Sequence, residues 1–259
     1  MTSHGALAEL WVVIPARDES AQIEGVLSAL AGQDDSSFAV LVVDNASRDD
    51  TASRARAAIA RLGLRGEVIF EPEPGIGVAM ATGFNHAIGR GADVLVRTDA
   101  DARPRPGFVR AARAGFAAGD EMLCGRVVPR RDEMPNVAER FVYPAAVRVA
   151  ALAGIWLQRS RPGRRYLTRY RLTHGPALGI TVALWRSLPA PRAGGLDVVA
   201  EDVELLNEAR MRTRRIARIE AMTAETSLRR LRAYGARRLL LWHWDRRWVP
   251  DDDKDINIR

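Results

Sequence analysis

Val94–Pro104 reads VLVRTDADARP, an apolar segment that runs directly into two aspartates one residue apart, Asp99 and Asp101. Carboxylates set against a buried strand do nothing for packing, so they call for another reason. The same grammar occurs three times upstream. LWVVI at 10–14, FAVLVV at 38–43 and GEVIF at 66–70 are short apolar runs, each followed by a polar or glycine-rich loop and then a stretch of helical character. In the first such stretch, DESAQIEGVLSALAG, the residues Ile23, Val26, Leu27 and Leu30 fall at i, i+3, i+4 and i+7, the stripe of a helix packed on one face. Asp18 or Ser20 is expected to cap it and Gly32 to end it. ASRARAAIARLG and VAMATGFNHAIGRG complete the next two units, and PGFVRAARAGFAAG with MLCGRVV continues from the fourth strand. Strand and helix alternating four times over short connections predict an α/β chain, with a mainly parallel sheet covered by helices on both faces.

In such sheets the ligand crevice lies beyond the carboxyl ends of the strands. The loops there are PARDES, DNASRDDT, EPEPGIG and TDADARP, so acidic and glycine-rich segments are expected to converge on one edge with Asp99 and Asp101 in the middle. Two carboxylates at i, i+2 suit one hard cation, Mg2+ or Mn2+, shared with a substrate diphosphate. By itself the pair suits equally a turn closed by aspartate side chains.

From about Pro129 the pattern is helical and irregular. PNVAERFVYPAAVRVAALAGIWLQ reads as an interrupted helix, followed by an arginine-rich loop to about residue 172, an apolar run at 178–185 and the turn segment PAPRAGG. VVAEDVELLNEARMRT reads as a helix, RRIARIEAMTAET as a strand and a loop, and SLRRLRAYGARRLLLWHWDRRWVP as a basic amphipathic tail with Trp242, Trp244 and Trp248. Residues 1–128 and 129–226 are therefore expected to be two halves of one unit, with 227–259 as the tail.

With 259 residues and 47% hydrophobic side chains, the chain is long and apolar enough for a sizeable core. The net charge of +7 is almost wholly arginine, Lys254 being the sole lysine. That excess suits anionic partners, or simply solvated faces. The single cysteine, Cys124, makes no internal disulfide and is expected in a buried strand, in a reducing compartment. MTSHGALAEL lacks a basic region before an apolar core, and the apolar window YPAAVRVAALAGIWL is short and carries Arg148, so neither a signal sequence nor a spanning helix is expected. The expected location is the cytoplasm.

In this order and spacing, VVIPARDES, LVVDNASRDDT, PGIGVAMATGF and VLVRTDADARP resemble the glycosyltransferase family 2 group, with its GT-A fold. The likeness continues through GITVALWRSLPAPRAGGLD and AEDVELLNEAR and covers roughly residues 10–212. It implies an inverting, metal-dependent enzyme that moves a sugar from a nucleotide diphosphate sugar to a hydroxyl acceptor. Residue by residue, the resemblance implies that Pro15, Ala16, Arg17 and Glu19 line the base and ribose pocket and that Asp44 accepts a hydrogen bond from the base. It implies that Gly75 and Gly77 let the backbone approach the nucleotide. Asp99, with Ala100 beside it in the donor site, would reach the ribose or a metal-bound water, and Asp101 would ligate the metal. Asp202 would be the general base, positioned or helped by Glu201.

The sequence departs from the family pattern in places. Asp18 stands where asparagine is usual, Ala81 and Thr181 where asparagine is frequent, and Asn207 and Glu208 where arginines are frequent. The chain lacks both the Gln-x-x-Arg-Trp signature and the membrane helices of processive members, which implies transfer of a single sugar. The acceptor would bind within 130–190, and the arginines and tail tryptophans suit an anionic or lipid-linked acceptor at the inner face of the membrane, or else a tail packed back on the domain. His174 is either a late metal ligand or acceptor contact, or a structural residue. Competing readings are a sugar nucleotidyltransferase, for which the acidic PARDES is the wrong chemistry, and a catalytically silent nucleotide-sugar binder. No nucleic-acid partner is expected, because the first half does not interleave aromatic with basic residues.

Overall fold

LWVVIPA and FAVLVVD form β1 (Leu10–Ala16) and β2 (Phe38–Asp44), both buried along their whole length. Burial on both faces explains why these strands read as continuous apolar runs instead of alternating ones. A computed structural model of the chain describes residues 8–142, 144–146, 149, 153, 175–189, 201–229 and 231–233. Its further elements are α1 (Ile23–Ala31), α2 (Thr51–Arg61), β3 (Gly66–Phe70), α3 (Ile76–Gly89), β4 (Val94–Arg97), β5 (Arg103–Pro104), α4 (Phe108–Ala117) and β6 (Met122–Pro129). The second half adds a π-helical turn at Ala138–Val142, one 3-10 turn at Gly175–Ala177, β7 (Leu178–Thr181), α5 (Val182–Ser187), α6 (Glu201–Arg212) and β8 (Ile216–Thr226).

The strands form one sheet in the order β3-β2-β1-β4-β7-β6-β8-β5. The four strands of the repeated units are parallel, as expected. Beyond β4 the sheet is mixed: β7 lies antiparallel between β4 and β6, β8 runs parallel to β6, and β5 closes the edge antiparallel to β8. The apolar run at 178–185 splits at Thr181, whose side chain accepts from Leu184 N at 3.3 Å and starts α5. RRIARIEAMTAET is strand through to Thr226, not strand and loop, because β6 pairs with Ile216–Ile219 and again with Thr223–Thr226, on either side of an irregularity at Gly125/Arg126 that leaves 220–222 without a register partner on β6. Cys124 is buried in β6, as expected.

Alternate strand residues feed two core layers. Val12, Ile14, Val40 and Val42 meet Ile23, Val26, Leu27 and Leu30 of α1 and Phe108 of α4. Val13, Leu41, Val43 and Leu95 meet Met80 and Phe84 of α3, Trp185 of α5 and Leu205 and Leu206 of α6. Phe84 and Trp185 pack edge to face with ring centroids 5.0 Å apart. Close approach of α3 to the sheet depends on Gly83, since a Cβ there would stand 2.5 Å from Val13 Cγ1 and 2.8 Å from Val43 Cγ2.

Candidate active site

The β1–α1 and β2–α2 loops are stitched together by side chains that bond the neighbouring loop's backbone. Asp18 lies at φ 51, a left-handed conformation that aspartate tolerates better than most residues. Its Oδ1 accepts from Arg48 N at 2.7 Å, and its own N–H donates to Ser47 Oγ at 3.0 Å. Glu19 N donates to Thr51 Oγ1 at 2.8 Å and Ser20 N to Asp49 Oδ2 at 3.1 Å. Neither Asp18 nor Ser20 caps α1, contrary to expectation. Gln22 holds the N-cap position without its side chain capping the helix, and the Glu19 carbonyl takes the first N–H groups instead. Gly32 does end the helix. Burial alone would raise the Asp49 carboxyl, but the donors from Thr51 and Ser20 outweigh it and hold Asp49 below its ordinary value.

Pro15 and Ala16 finish β1 beside Val43 and Asp44. Asp44 is 7% exposed, and its Oδ1 is buried without a hydrogen-bond partner among the described residues. Asn45 follows it and reaches across to the third loop. Its Nδ2 donates to Glu73 O at 2.6 Å and Glu71 O at 3.3 Å, while its Oδ1 accepts from Gly75 N at 2.8 Å. Gly75 is the N-cap of α3 at φ 154, a conformation that glycine alone adopts without strain. Gly77 sits in the first turn of α3, and Arg17 lies with its Nε 4.0 Å from Asp18.

At the end of β4 the Asp-Ala-Asp stretch is a tight turn in which Ala102 N donates to Asp99 O at 3.0 Å and Ala100 is buried. The two carboxylates are held apart by different arginines. Asp99 Oδ1 accepts from Arg97 Nε at 3.1 Å and Nη2 at 3.0 Å, and Arg97 itself is only 1% exposed. Asp101 Oδ2 accepts from Arg229 Nη2 at 3.3 Å, and the same nitrogen donates to Glu19 Oε1. Burial alone would lower the Arg229 guanidinium, but the Glu19 hydrogen bond and the Asp101 charge outweigh it and keep it above its ordinary value. Beside them Arg103 Nη2 and Arg130 Nη1 both donate to Gln22 Oε1, at 3.2 and 2.7 Å. Burial, and then the Arg130 charge, holds Arg103 below the usual arginine value.

Among the described residues no cluster of three His, Cys, Asp or Glu side chains is arranged to hold a metal. A divalent ion nonetheless fits this donor set. Asp101 presents a buried carboxylate that already faces a cationic group, and Mg2+ or Mn2+ commonly takes one or two carboxylates and completes its shell from substrate phosphate and water.

Glu201 and Asp202 open α6, and Asp202 is 9% exposed. Leu206 and Ala209, fully buried, hold the helix on the second core layer. His174 and the tail tryptophans Trp242, Trp244 and Trp248 lie outside the described residues. Three organising residues escaped the sequence reading: Asn45, taken for part of a polar loop; Arg97, taken for the end of a strand; and Arg229, taken for part of a basic tail. An arginine closing an apolar strand just before an acidic turn was the available signal for Arg97.

A mixed α/β sheet with these loops gathered at the carboxyl edge of its parallel strands is the GT-A fold. The chain belongs to glycosyl transferase family 2, whose model matches residues 11–177. It is 30% identical over 150 residues to an uncharacterized glycosyltransferase of Mycobacterium tuberculosis, and equally to one of Mycobacterium bovis; the match covers 58% of this chain and 59% of each relative's length. Among solved structures it is similar to S. aureus TarS in complex with UDP, with TM-score 0.60 and 16% identity over 95% of this chain and 68% of that one. Glucosyl-3-phosphoglycerate synthase from Mycobacterium tuberculosis, in complex with Mn2+, UDP-glucose and phosphoglyceric acid, gives TM-score 0.57 and 22% identity over 95% of this chain and 82% of that one. A mannosyltransferase from Pyrobaculum calidifontis, with GDP-mannose and Mn2+, gives TM-score 0.60 and 20% identity over 92% and 64% of the respective chains. At these identities the structural likenesses establish the fold alone.

Proposed function

We propose that the chain is an inverting glycosyltransferase that moves a single sugar from a nucleotide diphosphate sugar to a hydroxyl acceptor, with a divalent metal. The observation that carries the donor side is Asp44 Oδ1, a buried acceptor beside Ala16 with no partner among the described residues. A buried acceptor of this kind costs about 1–3 kcal/mol unless it is satisfied, and a nucleotide base N–H at the carboxyl edge of the sheet satisfies it. Pro15, Ala16, Arg17 and Glu19 form the rest of the base and ribose wall, while Gly75 and Gly77 set the backbone against the nucleotide at the start of α3. Asp101 is the metal-side carboxylate, and Asp99, oriented by Arg97 with Ala100 at the apex of the turn, faces the ribose or metal-bound water. When bound, Mg2+ or Mn2+ supplies Lewis-acid neutralisation of the diphosphate leaving group. The UDP, UDP-glucose and GDP-mannose held by the neighbours named above, two of them with Mn2+, support a nucleotide-sugar donor and a divalent metal.

Asp202 accepts the proton of the acceptor hydroxyl as the hydroxyl attacks the anomeric carbon from the face opposite the leaving group, with Glu201 positioning it. The half from 129 to 226 binds the acceptor, an anionic or lipid-linked hydroxyl compound, and the tail from 227 offers a peripheral membrane contact on the cytoplasmic side. Among the described residues no helix is long and apolar enough to cross a membrane. The test is a panel of nucleotide sugars with Mn2+ or Mg2+, read by thermal stabilisation and slow donor hydrolysis. Asp44→Ala should lose donor binding, whereas Asp202→Asn should keep donor binding and lose transfer. No response to any donor, with or without metal, overturns the reading.

A further inference from the structure

Arg229 stands just past β8, and its side chain, 24% exposed, faces carboxylates from two different loops: Glu19 after β1 and Asp101 after β4, the latter at 3.3 Å. The segment that carries it is pinned to the body of the protein on both sides. Leu228 N donates to Glu133 Oε2 at 2.7 Å, Arg232 Nε and Nη2 donate to the Glu139 carboxylate at 3.0 and 3.1 Å, and Arg232 Nη2 donates to Glu133 O at 2.9 Å. Leu228 and Leu231 are buried beneath it. The guanidinium is therefore delivered to this spot by the fold and is not a surface side chain that settled on the nearest acid.

A guanidinium and a divalent ion cannot both take the same face of Asp101, because like charges in contact at a half-buried site repel strongly. We propose that Arg229 is a resident counter-cation: it neutralises Glu19 and Asp101 before the donor enters, and a divalent ion arriving with the diphosphate displaces it, releasing Arg229 from the donor site. This rests on the assignment of Asp101 as the metal-side carboxylate. The latch makes bare metal a poor ligand, since the ion must break the Arg229 contacts without the diphosphate charge to compensate. It thereby couples metal uptake to nucleotide uptake.

The test is Mn2+ titration of the whole chain, with free Mn2+ read by electron paramagnetic resonance in the absence of nucleotide. Arg229→Gln should bind Mn2+ about tenfold more tightly than the wild type, the size of one charge-assisted hydrogen bond. Arg229→Lys, which keeps the charge, should stay near the wild type, and Asp101→Asn should lose binding. If Asp101→Asn loses binding while Arg229→Gln binds no more tightly than the wild type, the latch is refuted and the metal assignment stands. If Asp101→Asn binds Mn2+ like the wild type, the metal assignment falls and the latch with it. A second measurement needs no variant: amide exchange at Leu228, Arg229 and Arg232 of the wild type should rise at least several-fold with saturating Mn2+ and UDP or GDP. Unchanged exchange in a chain shown to hold the nucleotide refutes the displacement.

Discussion

Replacing Asp99 by alanine should destabilise the protein far more than replacing Asp101, although the two aspartates share one turn. The difference lies in their arginines. Arg97 is 1% exposed at the end of a central strand, and Asp99 Oδ1 takes two of its N–H groups, at 3.1 and 3.0 Å. Removing one partner of a buried ion pair costs about 3–5 kcal/mol, because the remaining charge is left in a poor solvent. The Asp99 side chain is itself 22% exposed, and Arg97 retains other contacts, among them Met80 Sδ at 3.6 Å, so the expected loss is about 2 kcal/mol. At roughly 2–4 °C per kcal/mol for a chain of this size, the melting temperature should fall by about 4–8 °C. Asp101 faces Arg229, whose side chain is 24% exposed and can be taken up by water, so Asp101→Ala should cost less than about 1 kcal/mol. The assay is urea unfolding followed by circular dichroism without metal or nucleotide, with the slopes compared to confirm that the unfolded state is unchanged. Arg97→Met combined with Asp99→Ala should recover part of the loss, since an apolar chain replaces an uncompensated charge. Equal losses for Asp99→Ala and Asp101→Ala, or no recovery in the double variant, would show that Arg97 does not depend on Asp99.

Asn45→Ala removes three hydrogen bonds that hold the Glu71–Gly75 loop, so nucleotide affinity measured by calorimetry should drop about tenfold while the fold persists. Affinity equal to the wild type would mean that this loop is ordered without it. Gly83→Ala forces a methyl group into Val13 and Val43 and should cost about 1–3 kcal/mol in urea unfolding; a stabilised variant would show that α3 can lift off the sheet freely. Acid should destabilise the protein in a definite window. Burial would raise Asp35, but Arg113 and the Ser37 N–H hold it below its ordinary value of 3.8, and Arg90 first and then His86 do the same for Glu67. Carboxyls with folded values below their unfolded ones contribute stability that is fully present above the unfolded values and lost as pH falls through the folded ones. The urea midpoint should therefore hold between about pH 7 and 5 and decline below about pH 4. A midpoint that rises on acidification contradicts these pairings.

What was legible in the sequence, and what was not, follows from the range of the interactions concerned. β1, β2 and β4 showed themselves because strands covered on both faces are apolar throughout, and α1 because its stripe repeats within four residues. The convergence of the acidic loops followed from parallel topology alone. β8 was half hidden because Arg218 and Glu220 interrupt its apolar pattern, and its strand state depends on β6, far away in the chain. The contacts that order the site carry no periodic signal at all: Arg229 meets Glu19 across 210 positions, and Asn45 meets Gly75 across 30. The arginine excess changes meaning for the same reason. From composition alone, +7 is as consistent with anionic partners as with solvated faces. In the fold, Arg97, Arg113, Arg130 and Arg229 are already paired with Asp99, Asp35, Asp132, Glu19 and Asp101. Arginines that already serve as internal counter-ions are not evidence for an external anion. The case for an anionic acceptor must therefore rest on the runs RSRPGRRYLTRYR and RRLRAYGARR, and in the second of these Arg229 and Arg232 already have carboxylate partners.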